Sequence, residues 1–256
     1  MSKFVPYLAE EAIERDAEAL LSEFAHARGL AIELPVPIED IVEKHLKLGI
    51  EFDDTHRLFG VPRSGLNRGQ SPDILGAIFF DDQRIVIDES LDPEENASME
   101  GRFRFTLAHE GGGHWRLHRH LFAKDKAQAA MFDDLEEPSF VCRSSEAKER
   151  VEWQADFYAS CLLMPRSLVY QIWNRRFGSL NPLISGTMKI NPPAGSRPRR
   201  IGDVFHHTEY DDFADGWAHY FAPFFTVSRQ AMRIRLEKLE LLLSQPPRQR
   251  SLATGT

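Results

Sequence analysis

The sequence predicts an α+β fold, a small antiparallel or mixed sheet packed on helices. Two observations carry the prediction. Strand-like runs at 74–80 and 84–88 flank the turn Asp81-Asp82-Gln83, which is a hairpin signal. Helical periodicity recurs on either side of that hairpin, near 10–28 and 151–164, with apolar residues returning every three or four positions. At 256 residues and 42% hydrophobic, the chain can bury one substantial core, or one core and a small appendage.

The elements follow in order. Ile13, Ala17, Leu20, Leu21 and Phe24 mark the inner face of a first helix, and Gly29 stops it. A second helix is expected over 38–46, with Ile41 and Val42 inward, then a short strand at 49–52. The polar, Gly-rich stretch 55–73 reads as a loop. Ile74 to Phe80 and Arg84 to Asp88 form the hairpin. Asp92-Pro93-Glu94-Glu95 has Pro and acids suited to a helix's first turn, so a helix is expected from there. A long connection over 121–144 follows, with helical character at 124–132; it reads as a surface insertion or a lid. Ser145 is placed to cap the next helix, which runs to Met164-Pro165, and 166–177 forms another. Segment 178–200 is rich in Gly, Ser, Asn and Pro and reads as a linker or surface loop. A last helix is expected from Ser228, with Met232, Leu236, Leu239 and Leu243 as its apolar face. It is read as packing rather than as a DNA-reading helix. Residues 246–256 read as a disordered tail. The domain reading is 1–177 as the main domain, 178–200 as linker, and 201–245 as a helical segment packed on it.

The chemistry concentrates at His109-Glu110-Gly111-Gly112-Gly113-His114. In the zinc-protease motif H-E-x-x-H the two His are four residues apart, and a helix turning about 100° per residue aims both at one ion. The Glu acts as general base on the attacking water. Here the second His comes one residue late, so on a regular helix the pair is about 140° apart. Three resolutions exist. A π-bulge absorbs the extra residue, and three consecutive Gly permit it. His114 pairs instead with His118 at i, i+4, making His118 an alternative ligand without a catalytic Glu between. Or the metal is lost and the fold is kept. Downstream, Glu152-Trp153-Gln154-Ala155-Asp156 puts two carboxylates on one helix face. Beside an HE…H motif, Glu152 is a candidate third ligand, and Asp156 a candidate hydrogen-bond acceptor that fixes the tautomer of a ligand His. Tyr158 reads as a packed core residue rather than an oxyanion donor. His206, His207 and His219 lie in an acidic stretch without ligand spacing and read as surface residues.

Arg104-Phe105-Thr106-Leu107-Ala108-His109-Glu110, Gly113-His114-Trp115 through His118, Glu152-x-x-Ala155-Asp156, and Leu162-Leu163-Met164-Pro165 together resemble the ImmA/IrrE-type metallopeptidases. That family usually reads F-T-L-A-H-E-L-G-H-W, so this chain carries one residue more between Glu110 and His114. The likeness spans roughly Ile38 to Pro165. It implies a zincin-like domain in which His109, His114 and Glu152 hold Zn²⁺, Glu110 is the catalytic base and Asp156 orients a ligand His. It also implies an endopeptidase acting on a protein substrate, often a helix-turn-helix repressor, and hence a role in transcription regulation. The alternative is a peptidase fold that binds a protein partner without cutting it, the insertion having misplaced His114. An edge strand beside the metal would, by the same likeness, hold extended substrate by β-pairing.

A net charge of −8 argues against a protein devoted to neutralising nucleic-acid phosphates. Two cysteines, Cys142 and Cys161, sit at no metal-ligand spacing, and Met1 to Pro6 lacks a signal-peptide apolar stretch. A cytoplasmic protein with reduced thiols, no membrane span and Cys161 as a core residue is expected.

Overall fold

The computed structural model describes residues 6–60, 74–121, 140–143, 150–185 and 209–245. The chain divides into two compact units, one through Pro165 with Phe224–Ser228, the other made of Arg166–Pro223 and the residues after Ser228. Helix 166–177 therefore groups with the C-terminal elements, although the sequence places it in the first domain. No described helix is long and apolar enough to cross a membrane. Ser145, the helical stretch 124–132, His206, His207 and the tail lie outside the described residues.

The first unit is a mixed α+β assembly. Helix α1 (Glu10–Arg28) buries Ile13, Ala17, Leu20, Leu21 and Phe24, the face its periodicity predicts. It ends where Gly29 adopts φ 64, so that Leu30 N–H bonds the Ala25 carbonyl. Helix α2 (Ile38–Asp40) continues as a wider turn over Ile41–His45, with Ile41 and Val42 fully buried. Strand β1 (Gly49–Asp53) follows. Thr55–Leu58, inside the expected loop, forms a short helix α3 capped by Asp54, whose carboxylate accepts from Arg57 N–H. Local capping chemistry outweighs the polar composition there.

The hairpin is present as β2 (Ile74–Phe79) and β3 (Arg84–Asp88). β1 runs parallel to β3, and β2 runs antiparallel to β3 and to β4 (Phe140–Arg143), giving the order β1-β3-β2-β4. The edge strands of the sheet are thus β1 and β4, not the strands of the hairpin. β2 is interior, with β4 from the long connection on its other side, and a peptide pairing with β2 would have to displace β4.

The expected helix start at Asp92 is also corrected. Asp92 accepts Glu94 N–H in a local turn, Asn96 opens a 3₁₀ turn over Ala97–Met99, and α4 begins at Glu100 (Glu100–Leu107). Asp and Asn side chains here bond their own backbone and divert the chain from helix. Helix α5 (Arg150–Leu163) packs on the extension of α4 and on α1.

In the second unit, α6 (Arg166–Phe177) and α7 (Glu209–Phe225) bring Trp173 onto Phe221 at 5.3 Å and Phe177 onto Trp217 at 5.1 Å. Helix α8 (Arg229–Lys238) presents Arg233 to Asp211, Asp215 and Glu237. It stops before Leu239 rather than reaching Leu243. Glu240 takes φ 56, and Leu242–Leu243 forms β6 beside β5 (Leu183–Ile184). Met232, Leu236 and Leu239 are buried, as expected of a packing helix.

Candidate metal centre

The site grows out of one irregularity. α4 is regular through Leu107, and then the backbone becomes π-helical over Ala108–His118. Hydrogen bonds of the i→i+5 kind put residues five apart on one face. His109 and His114, splayed on a regular helix, therefore meet with their Nε2 atoms 3.0 Å apart. The facing of the two His that the first of the three resolutions requires is present.

Packing holds this run, since π segments are usually single turns. Each glycine faces a neighbour that leaves no room for a side chain. A Cβ on Gly111 would lie 2.8 Å from Val42 Cγ2, one on Gly112 2.9 Å from the Tyr158 ring, and one on Gly113 2.6 Å from Ala155 Cα. α5 therefore approaches the motif closely at Ala155. On the other flank Arg116 makes paired hydrogen bonds to Glu23 at 2.7 and 2.9 Å and one to Asp16 at 3.0 Å. Tyr158, fully buried, donates to the same Asp16 carboxylate, consistent with a structural tyrosine. These bonds clamp the motif segment against α1.

α5 brings both predicted carboxylates to the pair. Glu152 Oε2 lies 3.2 Å from His109 Nε2 and 3.9 Å from His114 Nε2. Asp156 Oδ1 lies 2.8 Å from His109 Nδ1 and accepts its proton, so that a neutral His109 presents its Nε2 lone pair to the centre. Three donor atoms thus converge with separations of 3.0, 3.2 and 3.9 Å. Donors about 2.0–2.2 Å from a tetrahedral ion stand roughly 3.3–3.6 Å apart, so the set is the size of one face of such a site.

Glu110 belongs to the same buried group: ligand atoms of His109, Glu110 and His114 all lie within 4.8 Å of one another. That group can hold a metal ion. Both Glu110 carboxylate oxygens are buried without a hydrogen-bond partner. Burial first, then the nearby Glu152 and Asp156 charges, push its pKa up to about 8, with His109 opposing. The carboxylate fits here because β2 has no side chain at Gly76, where a Cβ would lie 3.3 Å from Glu110 Oε1.

His118 stands on the other side of His114, Nδ1 to Nδ1 at 3.1 Å, and its Nε2 meets Gln154 Oε1 at 2.9 Å. Gln154 Nε2 in turn donates to the Pro6 carbonyl at 2.8 Å. Burial lowers the pKa of His114 well below normal and brings His118 down to about 4, so both rings are neutral near pH 7, the form that binds metal. Sequence reasoning overlooked Gln154 and Arg116; an isolated polar residue on a helix carries no signal until its neighbours are known. His219 is exposed on α7, away from any ligand cluster among the described residues. Compared with known proteins, the chain matches no protein-family model and no curated protein.

Proposed function

We propose that the chain is a zinc-dependent endopeptidase acting on a protein substrate. The observation that carries this reading is the convergence of His109 Nε2, His114 Nε2 and Glu152 Oε2 beside a buried, unpartnered Glu110. Two imidazoles and a carboxylate suit Zn²⁺, and a three-residue donor set leaves a position open.

The roles divide by environment. Glu152, whose side chain is 15% exposed and touches both His, is the third ligand. Glu110, buried in the centre and free of competing bonds, is the proton carrier. Zinc, when bound, polarises the scissile carbonyl and acidifies water. Glu110 takes the proton of the attacking water at a carboxylate oxygen and delivers it to the leaving amine. Asp156 holds His109 in its Nδ1–H tautomer. The resemblance of these motifs to ImmA/IrrE-type peptidases makes a helix-turn-helix repressor the first substrate to try.

The rival reading, a peptidase fold that only grips a partner, rested on a misplaced His114. The π-helical facing of the two His favours the enzyme instead. Metal analysis of protein purified without chelator or His tag is expected to give about one zinc per chain for wild type and Glu110→Gln, and none for Glu152→Ala. Glu110→Gln should also lose cleavage of a cognate substrate. Wild-type protein that takes up no zinc even when supplied with it would overturn the reading.

A further inference from the structure

The motif accounts for His109, Glu110, His114, Glu152 and Asp156, but not for the chain of contacts behind His114. That chain is continuous from the N-terminal segment to the centre: Pro6 carbonyl to Gln154 Nε2, Gln154 Oε1 to His118 Nε2, His118 Nδ1 to His114 Nδ1, and His114 Nε2 to the donor cluster. Gln154, His118 and His114 are all 0% exposed.

Elementary donor and acceptor rules orient the links behind His114. A proline carbonyl can only accept, so the amide NH₂ of Gln154 must face Pro6 and its oxygen must face His118. An amide oxygen can only accept, so His118 carries its proton on Nε2. A neutral imidazole with Nε2–H has a lone pair on Nδ1, so His114 must supply the proton between the two Nδ1 atoms. His114 then has its own lone pair on Nε2, facing His109 Nε2 and Glu152 Oε2, a cluster of acceptors that a bound cation, or a proton on His109, would satisfy. Reversing any link between Pro6 and His114 would set two donors or two acceptors face to face in a dry interior, where an unmade hydrogen bond costs about 1–3 kcal/mol.

We infer that Gln154 and His118 are positioning residues: with the Pro6 carbonyl they form a relay that fixes the tautomer of His114 and presents its Nε2 lone pair to the metal. The relay rests on the metal reading above and does for His114 what Asp156 does for His109. It differs in being neutral throughout. A carboxylate partner adds negative charge behind its imidazole; the Gln154–His118 relay orients a ligand without adding charge to a centre that already holds Glu110, Glu152 and Asp156. It also makes the segment around Pro6 part of the site, although it lies far from the motif in sequence.

The test separates the relay from the metal reading. In ¹⁵N-histidine-labelled, metal-free full-length protein, long-range proton–nitrogen correlation spectra distinguish the two neutral tautomers. The relay predicts Nδ1–H for His114 and Nε2–H for His118. His114 found as Nε2–H would overturn it, whatever the zinc result. Zinc affinity, read by competition with a chromogenic chelator, should fall about 10- to 100-fold in Gln154→Leu and His118→Phe, the range typical of outer contacts to a ligand. His118→Asn keeps an acceptor near the Nδ1 position and should recover most of that loss. Unchanged affinity in both apolar variants, with far-ultraviolet dichroism intact, would also overturn the relay. If either variant fails to fold, the wild-type tautomers alone decide. Absence of zinc binding in wild type, with the expected tautomers present, sinks the metal reading and with it the positioning role, and leaves only the tautomer assignment standing.

Discussion

Glu110 is the residue where the metal-free protein should show the site's cost. Its carboxyl is raised from about 4.5 to about 8, so the folded state keeps a proton that the unfolded state has released. A raised acid contributes stability that is complete below its unfolded pKa and lost as pH rises through its folded pKa. His118 acts in the opposite sense. Its pKa is lowered from 6.5 to about 4, so its contribution grows across that window and is complete above it. Between about pH 6.5 and 8 the Glu110 effect therefore acts alone of the two, with a slope of at most about 1.4 kcal/mol per pH unit. In chelator, wild type should lose urea stability across that range while Glu110→Gln stays nearly flat. Equal slopes in the two proteins would remove Glu110 as the source.

At the scale of the element, the π-helical run is held by contact, and its three glycines are not equivalent. The Cβ of Gly113→Ala would press on Ala155 Cα and Cβ at 2.6 Å, where backbone must move. The Cβ of Gly111→Ala would press on Val42 Cγ2 at 2.8 Å, a side-chain methyl rather than backbone. Overpacking of this kind costs about 1–3 kcal/mol, and Gly113→Ala should sit at the upper end of that range. Because it drives α5 from the motif, it should also weaken zinc binding at least tenfold by carrying Glu152 outward, while Gly111→Ala stays within about threefold. Denaturation midpoints and chelator competition on the two variants check both statements. Comparable zinc loss in both would mean that the glycines serve backbone conformation rather than the approach of α5. The same helix shows why HEGGGH was readable as a metal motif yet ambiguous in geometry. Residue types announce ligands, but the number of residues per turn depends on Val42, Tyr158 and Ala155, which come from other elements.

For the whole molecule, metal and folding should be linked in the first unit. A ligand that binds only the native state stabilises it by about 2.7 kcal/mol at a hundred times its dissociation constant. The four tryptophans divide evenly, Trp115 and Trp153 in the first unit and Trp173 and Trp217 in the second. With Trp115 and Trp153 both changed to Phe, fluorescence reports the second unit. Zinc is expected to raise the melting temperature reported by wild-type far-ultraviolet dichroism and to leave the fluorescence transition of that variant in place. A fluorescence shift of the same size would mean that the two units unfold as one.

The sequence by itself determined the inner face of α1, the β2–β3 hairpin, the helices 150–163 and 166–177, and the residue types of the centre. These follow from periodicity, turn chemistry and ligand spacing, all local in the chain. Tertiary structure decided the rest. The π-helical facing of His109 and His114 depends on side chains far away in sequence. β4 covers β2 through a pairing that no local pattern in 121–144 announces. The start of α4 moved to Glu100 because Asp92 and Asn96 bond their own backbone, and α8 ended early because Leu242–Leu243 found a strand partner. Gln154, one polar residue among many on a helix, acquired a role only when the fold set Pro6 on one side of it and His118 on the other.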